Sequence, residues 1–335
     1  MPAGFTFLLI VVLVLAVAFD YVNGFHDTAN AIATSVSTRA IRPHYAILMS
    51  AAANFIGALT GTAVAKTIAS GIAMTPGGDQ GQIVVAAALV GGIAWDLITW
   101  RLGIPSSSSH ALIGGLIGAA IAAAGGFGSL LPDGIIQKVL VPLILSPILG
   151  IGIGFLLMVV LLNVFVHAHP RRLNERFRRL QILSAAYMAF SHGSNDAQKT
   201  MGIITLALVA GGILAKPDVP LWVIVLAASA ISFGTAAGGW RIIRTMGQRV
   251  VKLDPIHGFA AETTAATIIL GASAFGMPVS TTHVISSAIM GVGASDRLSA
   301  VRWGLAWNIV VAWVLTIPAS AIVSFLAWQV LSRIL

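Results

Sequence analysis

Ten stretches of about twenty predominantly apolar residues succeed one another along this 335-residue chain: roughly 5–38, 44–66, 81–100, 105–124, 139–166, 181–214, 221–239, 255–276, 279–294 and 303–332. All ten qualify as spans of a bilayer once interrupted segments are allowed. Within hydrocarbon every backbone amide must find its partner inside the protein, so such segments have to be helices. Only 9% of residues are charged against 57% hydrophobic, whereas a soluble domain carries about a quarter charged; an ordinary cytosolic enzyme is excluded. The absence of cysteine excludes disulfides, iron–sulfur clusters and thiol catalysis. The first segment carries Ala16 and Ala18 in an A-x-A pattern, but no Lys or Arg precedes it. It therefore lacks the basic region of a signal peptide and reads as a transmembrane span.

Lys and Arg number 19 against 11 acids, a net +8. In so apolar a chain that excess marks cytoplasmic loops rather than nucleic-acid binding. Arg171, Arg172, Arg176, Arg178 and Arg179 form the densest cluster, and Arg241, Arg244, Arg249 and Lys252, then Arg297 and Arg302, follow at intervals of two crossings. Arg39, Arg42 and Arg101 fall on the same side, while 70–80, 125–134 and 216–220 hold no arginine. Ten crossings then place both termini outside, in a bacterium the periplasmic side of the inner membrane.

The chain repeats itself. Asn23-Gly24-Phe25-His26-Asp27 aligns with His192-Gly193-Ser194-Asn195-Asp196, and Pro105-Ser106-Ser107-Ser108-Ser109-His110 with Pro278-Val279-Ser280-Thr281-Thr282-His283. The Asp-to-His separations are 83 (110 minus 27) and 87 (283 minus 196). Matched motifs at matched spacing are an internal repeat. The expected organisation is a first transmembrane repeat, 1–166, a basic cytoplasmic linker, 167–180, and a second repeat, 181–335. Five crossings per half would insert the second copy inverted, the plan of many secondary transporters, whose sites lie at broken helices near the midplane. Breaks are expected in the two longest segments, 5–38 and 181–214, at their polar middles.

Five acids fall inside spans: Asp20, Asp27, Asp96, Asp196 and Glu262. A charge at mid-membrane costs about 2.5–3.5 kcal/mol on insertion scales, so each needs a partner or a purpose. Asp27 and Asp196 either cap helix fragments or form a cation or proton site. Asp96 reads as an ion-pair partner of Arg101, and Asp20 as a helix-end residue. The Pro-plus-hydroxyl clusters are anion candidates: hydroxyls and free backbone N–H groups at a helix N-terminus suit a tetrahedral oxyanion. Two such nests could hold one phosphate. Lys199, where the first repeat has Asn30, either neutralises Asp196 or lends charge to an anion. Four histidines inside spans, His26, His110, His192 and His283, follow the repeat rather than any ligand spacing, so no metal site is expected; proton carriage or hydrogen bonding fits them better.

These residues resemble the Pit-type inorganic phosphate transporter family. The resemblance rests on Asn23 to Ala31, Ser191 to Lys199, Pro105 to His110 and Pro278 to His283, four linked motifs spanning nearly the whole chain. Phe25-His26-Asp27-Thr28 and Gln198-Lys199 are most similar to the bacterial branch, which implies proton-coupled phosphate uptake, often as a divalent metal–phosphate complex; other branches couple to Na+. By resemblance, Asp27, Asn30, Asn195, Asp196 and Glu262 serve cation or proton coupling. Ser106, Ser107, Ser108, Ser109, Ser280, Thr281 and Thr282 hold phosphate, with Asn23, Thr28, Lys199, His110 and His283 as further contacts. Where some members carry a second-span glutamate, this chain has Asn54. The resemblance also implies a homodimer, and no cofactor.

The sequence thus predicts an all-α polytopic membrane protein that imports phosphate by symport, H+ ahead of Na+. The rivals are transport of another tetrahedral anion such as sulfate, and an intramembrane hydrolase using Ser108 or Ser109 with a histidine. The hydrolase leaves an inverted duplicate of the site without a reason.

Overall fold

A computed structural model describes residues 6–70 and 72–335. Phe5, the start of the first predicted span, lies outside them. Among the described residues all regular structure is helical, apart from one isolated bridge between Ala73 and Leu130. In the first half these are α1 (Phe7–Ser37), α2 (Pro43–Ala58), α3 (Ala63–Ser70), α4 (Asp79–Leu102), α5 (Ser108–Ala124), α6 (Pro132–Ile135) and α7 (Val141–Val164). A π-helical turn, Ile136–Leu140, joins α6 to α7. The second half contains α8 (Pro170–Ala210), α9 (Leu221–Ala237), α10 (Trp240–Arg244), α11 (Pro255–Ala274), α12 (Thr281–Asp296) and α13 (Trp303–Ile334).

Four helical stretches, α1, α4, α6 through α7, and α13, are each long and apolar enough to cross a membrane. Two bent pairs, α2 with α3 at 70° and α9 with the helix after it at 61°, raise that number to six. The predicted ten is not reached on length and hydropathy alone. The motif residues lower the hydropathy of α8 and α11, and α5 and α12 are only 17 and 16 residues long. Large apolar side chains cover the outside, including Ile144, Leu156, Phe233 and Ile322, each more than 60% exposed. A surface of that kind belongs in lipid, and the chain is a multi-pass membrane protein.

Three expectations are corrected. Segments 5–38 and 181–214 do not break: α1 runs 31 residues and α8 runs 41 without interruption. Asn30, His192 and Asp196 find partners on other helices, so the backbone does not have to unwind to serve them. The stretch expected to be a linker, 167–180, is mostly the first turns of α8, which carry its arginines. Arg241 and Arg244 likewise sit on α10 rather than in a loop.

Packing crosses between the halves. α1 lies against α9 and α8 against α2; α5 lies against α13 and α12 against α7. The first crossings are close because of glycine. A Cβ on Gly24 would strike the Ile231 carbonyl, and one on Gly193 the Asn54 carbonyl. Facing them, Gly57 meets the backbone of Phe190 and Gly234 that of Tyr21. Small residues of this kind let membrane helices approach backbone to backbone. Two apolar cores result. One gathers Leu9 to Phe19 of α1 with Ala197 to Leu208 of α8; the other gathers Ala29 to Ala33 with Phe177 to Ala189. Asp20 to Thr28 of α1 and Ser191 to Asp196 of α8 lie between the two cores.

Candidate functional site

Asp27 and Asp196 come from α1 and α8, which pack side by side. Both are buried, 2% and 0% exposed. On α1, Asp27 Oδ1 is 2.6 Å from His26 Nδ1, and His26 Nε2 is 3.1 Å from Thr99 Oγ1 of α4. Ser106 donates to the same Thr99 hydroxyl at 2.8 Å. On α8, His192 Nε2 stands 3.1 Å from Asp196 Oδ2 and 3.9 Å from Asp27 Oδ2, so one imidazole lies between the two carboxylates. Its Nδ1 is 3.0 Å from Asn54 Oδ1. An amide oxygen only accepts, so Nδ1 carries hydrogen and Nε2 is the atom turned to the acids.

Lys199, three residues after Asp196 and therefore on the same helical face, is 2% exposed. Its ammonium pairs with Asp196 Oδ1, donates to Ser109 Oγ, and donates to the Val279 carbonyl at 3.0 Å. Of the two roles left open for it, the contact geometry is that of a counter-charge to Asp196, with its remaining hydrogen bonds directed to the start of α5 and to the segment before α12. Asn30, its counterpart on α1, donates to Thr282 at 2.9 Å and Thr281 at 3.3 Å. Thr281 in turn donates to Asp196 Oδ2 at 3.0 Å. The N-termini of α5 and α12 thus converge on the paired aspartates.

Each of those helices begins in the same way. Ser107 accepts from the His110 N–H at 3.2 Å, and Ser280 from the His283 N–H at 3.2 Å, so both are N-caps. Pro105 and Pro278 each stand two residues before the cap, outside the first turn. His110 and His283 pack as rings, 4.8 Å between centroids, and His283 stacks on Trp313 at 4.0 Å. Ser108 lies at the start of α5 with its hydroxyl unpartnered.

Other predicted residues fall outside this centre. Asn195 donates to Ser273 at 2.7 Å and Met277 O at 3.4 Å, toward α11. Thr28 bonds back to the Gly24 carbonyl at 2.7 Å. Glu262 forms a cluster of its own: Thr34 donates to it, as do Ser184 at 2.5 Å and Gln181 at 3.3 Å. Asp96 makes no ion pair with Arg101; it is 0% exposed and its carboxylate has no hydrogen-bond partner. Asp20 is no helix-end residue but lies well inside α1, also at 0%.

Sequence reasoning noted Asn54 only as standing in place of a family glutamate, and missed Thr99, Thr34, Gln181 and Ser184. Each is a polar residue in or beside an apolar run, which alone does not distinguish a ligand from interhelical glue. It also set metal aside, yet one atom each from Asp27, His192 and Asp196 lie within 4.8 Å of one another, a set that can hold a cation.

A model of the phosphate transporter family matches residues 23–324, which include every residue of this centre. The chain belongs to that family. A Bacillus subtilis protein described as a "probable low-affinity inorganic phosphate transporter" is 49% identical over 98% of both chains. A Rhizobium meliloti protein of the same description is 49% identical over 96% of both. Among solved structures, one titled as the sodium-dependent phosphate transporter is similar over 98% of this chain and 100% of that one, with TM-score 0.87 and 27% identity. Membership of the phosphate transporter family makes the chain a transporter and removes the hydrolase reading.

Proposed function

We propose that this protein imports inorganic phosphate by alternating access in symport with a cation, a proton ahead of Na+. The observation that carries the reading is Lys199, whose ammonium bridges the Asp196 carboxylate and Ser109 at the start of α5. While Asp196 is charged, the pair is neutral and an anion gains little from Lys199. Once a proton or cation neutralises Asp196, the ammonium is left unbalanced beside Ser109, Thr281 and Thr282, and phosphate restores the balance. Each ligand therefore raises the affinity for the other, which is the thermodynamic content of symport. A proton is favoured because an imidazole stands against each carboxylate, His26 on Asp27 and His192 on Asp196. Phosphate entering with a divalent metal is a second reading, supported by the imidazole and two carboxylates gathered at Asp27, His192 and Asp196.

Transport would proceed between two inverted repeats. This is supported by the crossed packing in which α1 with α9 mirrors α8 with α2, glycine for glycine. In this reading the protein lies in the cell membrane with both termini outside, as a homodimer.

The test is a flux assay in liposomes with labelled phosphate under separate proton and sodium gradients. Accumulation driven by the proton gradient, competed by arsenate but not sulfate, is expected. Accumulation of sulfate in place of phosphate, or none under either gradient, overturns the proposal.

A further inference from the structure

A cavity of about 550 Å³ lies between the segment that precedes α11 and the one that joins α12 to α13. It is lined by Lys252 from the first and by Arg297, Ser299 and Arg302 from the second. The three cations are exposed, and among the described residues no acid forms an ion pair with any of them. The acids on the cavity wall are already engaged. Asp296, the last residue of α12, is 2.9 Å from His257 Nε2. His257 Nδ1 accepts from the Asp254 N–H at 3.3 Å, so Nε2 carries the hydrogen and donates to Asp296. Asp254 stands at the N-cap of α11, where the helix dipole favours a negative charge.

The walls of the cavity are tied to one another. The Arg302 N–H donates to the Val250 carbonyl at 3.1 Å, and Val251 fills the place that a Cβ on Gly293 would take. The bond from His257 to Asp296 joins the start of α11 to the end of α12. Two segments distant in the chain therefore hold their cations around one space, whereas orientation in the membrane asks only for charge on a loop. Trp303, half-exposed, donates its indole N–H to the Leu298 carbonyl at 2.8 Å, and a tryptophan at a helix end belongs at headgroup depth. Three unbalanced cations and a hydroxyl select an anion with several oxygen acceptors. Arginine meets phosphate through two parallel hydrogen bonds, and a volume in the range of small-molecule sites admits more than a bare orthophosphate.

We propose that this cavity binds a phosphate-bearing anion larger than orthophosphate, the headgroup of an acidic phospholipid or a soluble chain of phosphates, through Lys252, Arg297 and Arg302. The site is separate from the transport centre: α12 begins at the hydroxyl cluster and ends here, 16 residues or about 24 Å away. Binding does not depend on transport; only the assignment of the cavity to the cytoplasmic side rests on the orientation proposed above.

The experiment titrates the full-length purified protein in a neutral detergent at constant ionic strength and follows the melting temperature. One arm uses dihexanoyl phosphatidylglycerol, the other inorganic tripolyphosphate, and zwitterionic dihexanoyl phosphatidylcholine is the blank. Wild type is expected to bind at least one of the two probes, with an affinity that Arg297→Gln and Arg302→Gln each weaken about tenfold, as expected for losing one contact to a charge. Ser299→Glu, which sets a carboxylate among the cations, should weaken it at least as much. An effect with phosphatidylglycerol identifies a lipid headgroup, and one with tripolyphosphate a soluble phosphate chain; either supports the site. Melting without probe checks that the variants fold, and because Ser299 is exposed, Ser299→Glu decides if the arginine variants do not. Binding of neither probe, binding no better than the blank, or equal affinity in wild type and the folded variants overturns the site. Uptake of labelled phosphate into liposomes is measured on the same proteins. Probe binding that follows the arginines in a protein that moves no phosphate keeps the site and loses the transport reading, and transport with probe binding that ignores the substitutions does the reverse.

Discussion

Replacing Lys199 by methionine tests whether its pairing with Asp196 is ionic. The substitution keeps length and apolar bulk while removing three contacts, to Asp196, Ser109 and the Val279 carbonyl. Asp196 would be left 0% exposed, with Thr281 at 3.0 Å and His192 at 3.1 Å as its remaining partners. Breaking a buried ion pair from one side costs about 3–5 kcal/mol; with two partners surviving, the lower end, about 3 kcal/mol, is expected. Asp196→Asn alone strands the ammonium and should cost a similar amount. The double variant Lys199→Met with Asp196→Asn removes both charges, and replacing a buried pair by neutral groups is often close to neutral. It should be more stable than either single variant, with an interaction energy of at least about 3 kcal/mol in the double-mutant cycle. Unfolding in mixed detergent and SDS micelles measures the four proteins under one condition. If the two single losses add to within about 0.5 kcal/mol, the residues are not an ion pair, and the charge-balance account of symport falls with them. Concentrative phosphate uptake should be lost in all three variants, including the stable double one.

The hydroxyls of α5 and α12 should separate by role. Ser107→Ala and Ser280→Ala remove N-caps and should cost about 1 kcal/mol of stability each, read as melting temperature. Ser109→Ala and Thr282→Val should weaken phosphate binding about 10- to 150-fold, the value of one hydrogen bond to a charged group, read by equilibrium binding of labelled phosphate. Orientation is checked by single cysteines in whole cells. One at Asn174 on the basic start of α8 should react only from the cytoplasm and one at the exposed Gln80 only from outside; Gln80 is chosen over neighbouring Gly78, whose φ of 71° a side chain would strain. Labelling of both from one face refutes the inverted arrangement.

The helices, the duplicated motifs and the residues of the centre were legible because hydropathy and spacing are properties of the chain itself. Where the backbone would break was not. The polar middles of α1 and α8 read as points of unwinding, since a lone aspartate in hydrocarbon has no reason to sit in an intact helix. What keeps those helices intact is supplied from elsewhere: Thr281 reaches Asp196 across 85 residues of chain, and Asn54 reaches His192 across 138. Partners so distant leave no local trace. Asp20 was misread for the same reason, because its burial depends on α8 packing against α1.

The resemblance places Asn195 beside Asp196 in coupling, but adjacent residues on a helix point about 100° apart. Residues three apart share a face. Applied to α8, that spacing joins Asp196 to Lys199 and turns Asn195 away, and Asn195 indeed bonds Ser273 and Met277 beside α11. On α1 it joins Asp27 to Asn30, which reaches Thr281 and Thr282. The i and i+3 pair recurs in both halves, a carboxylate followed by a donor that contacts a hydroxyl cluster. Only the second half places a positive charge in the donor position. The duplicated site is thus electrically lopsided: Asp196 has a built-in counter-charge, whereas Asp27 depends on the protonation of His26 and His192. Under the proposed symport, that asymmetry leaves Asp27 the carboxylate with the stronger need for a cation from solution.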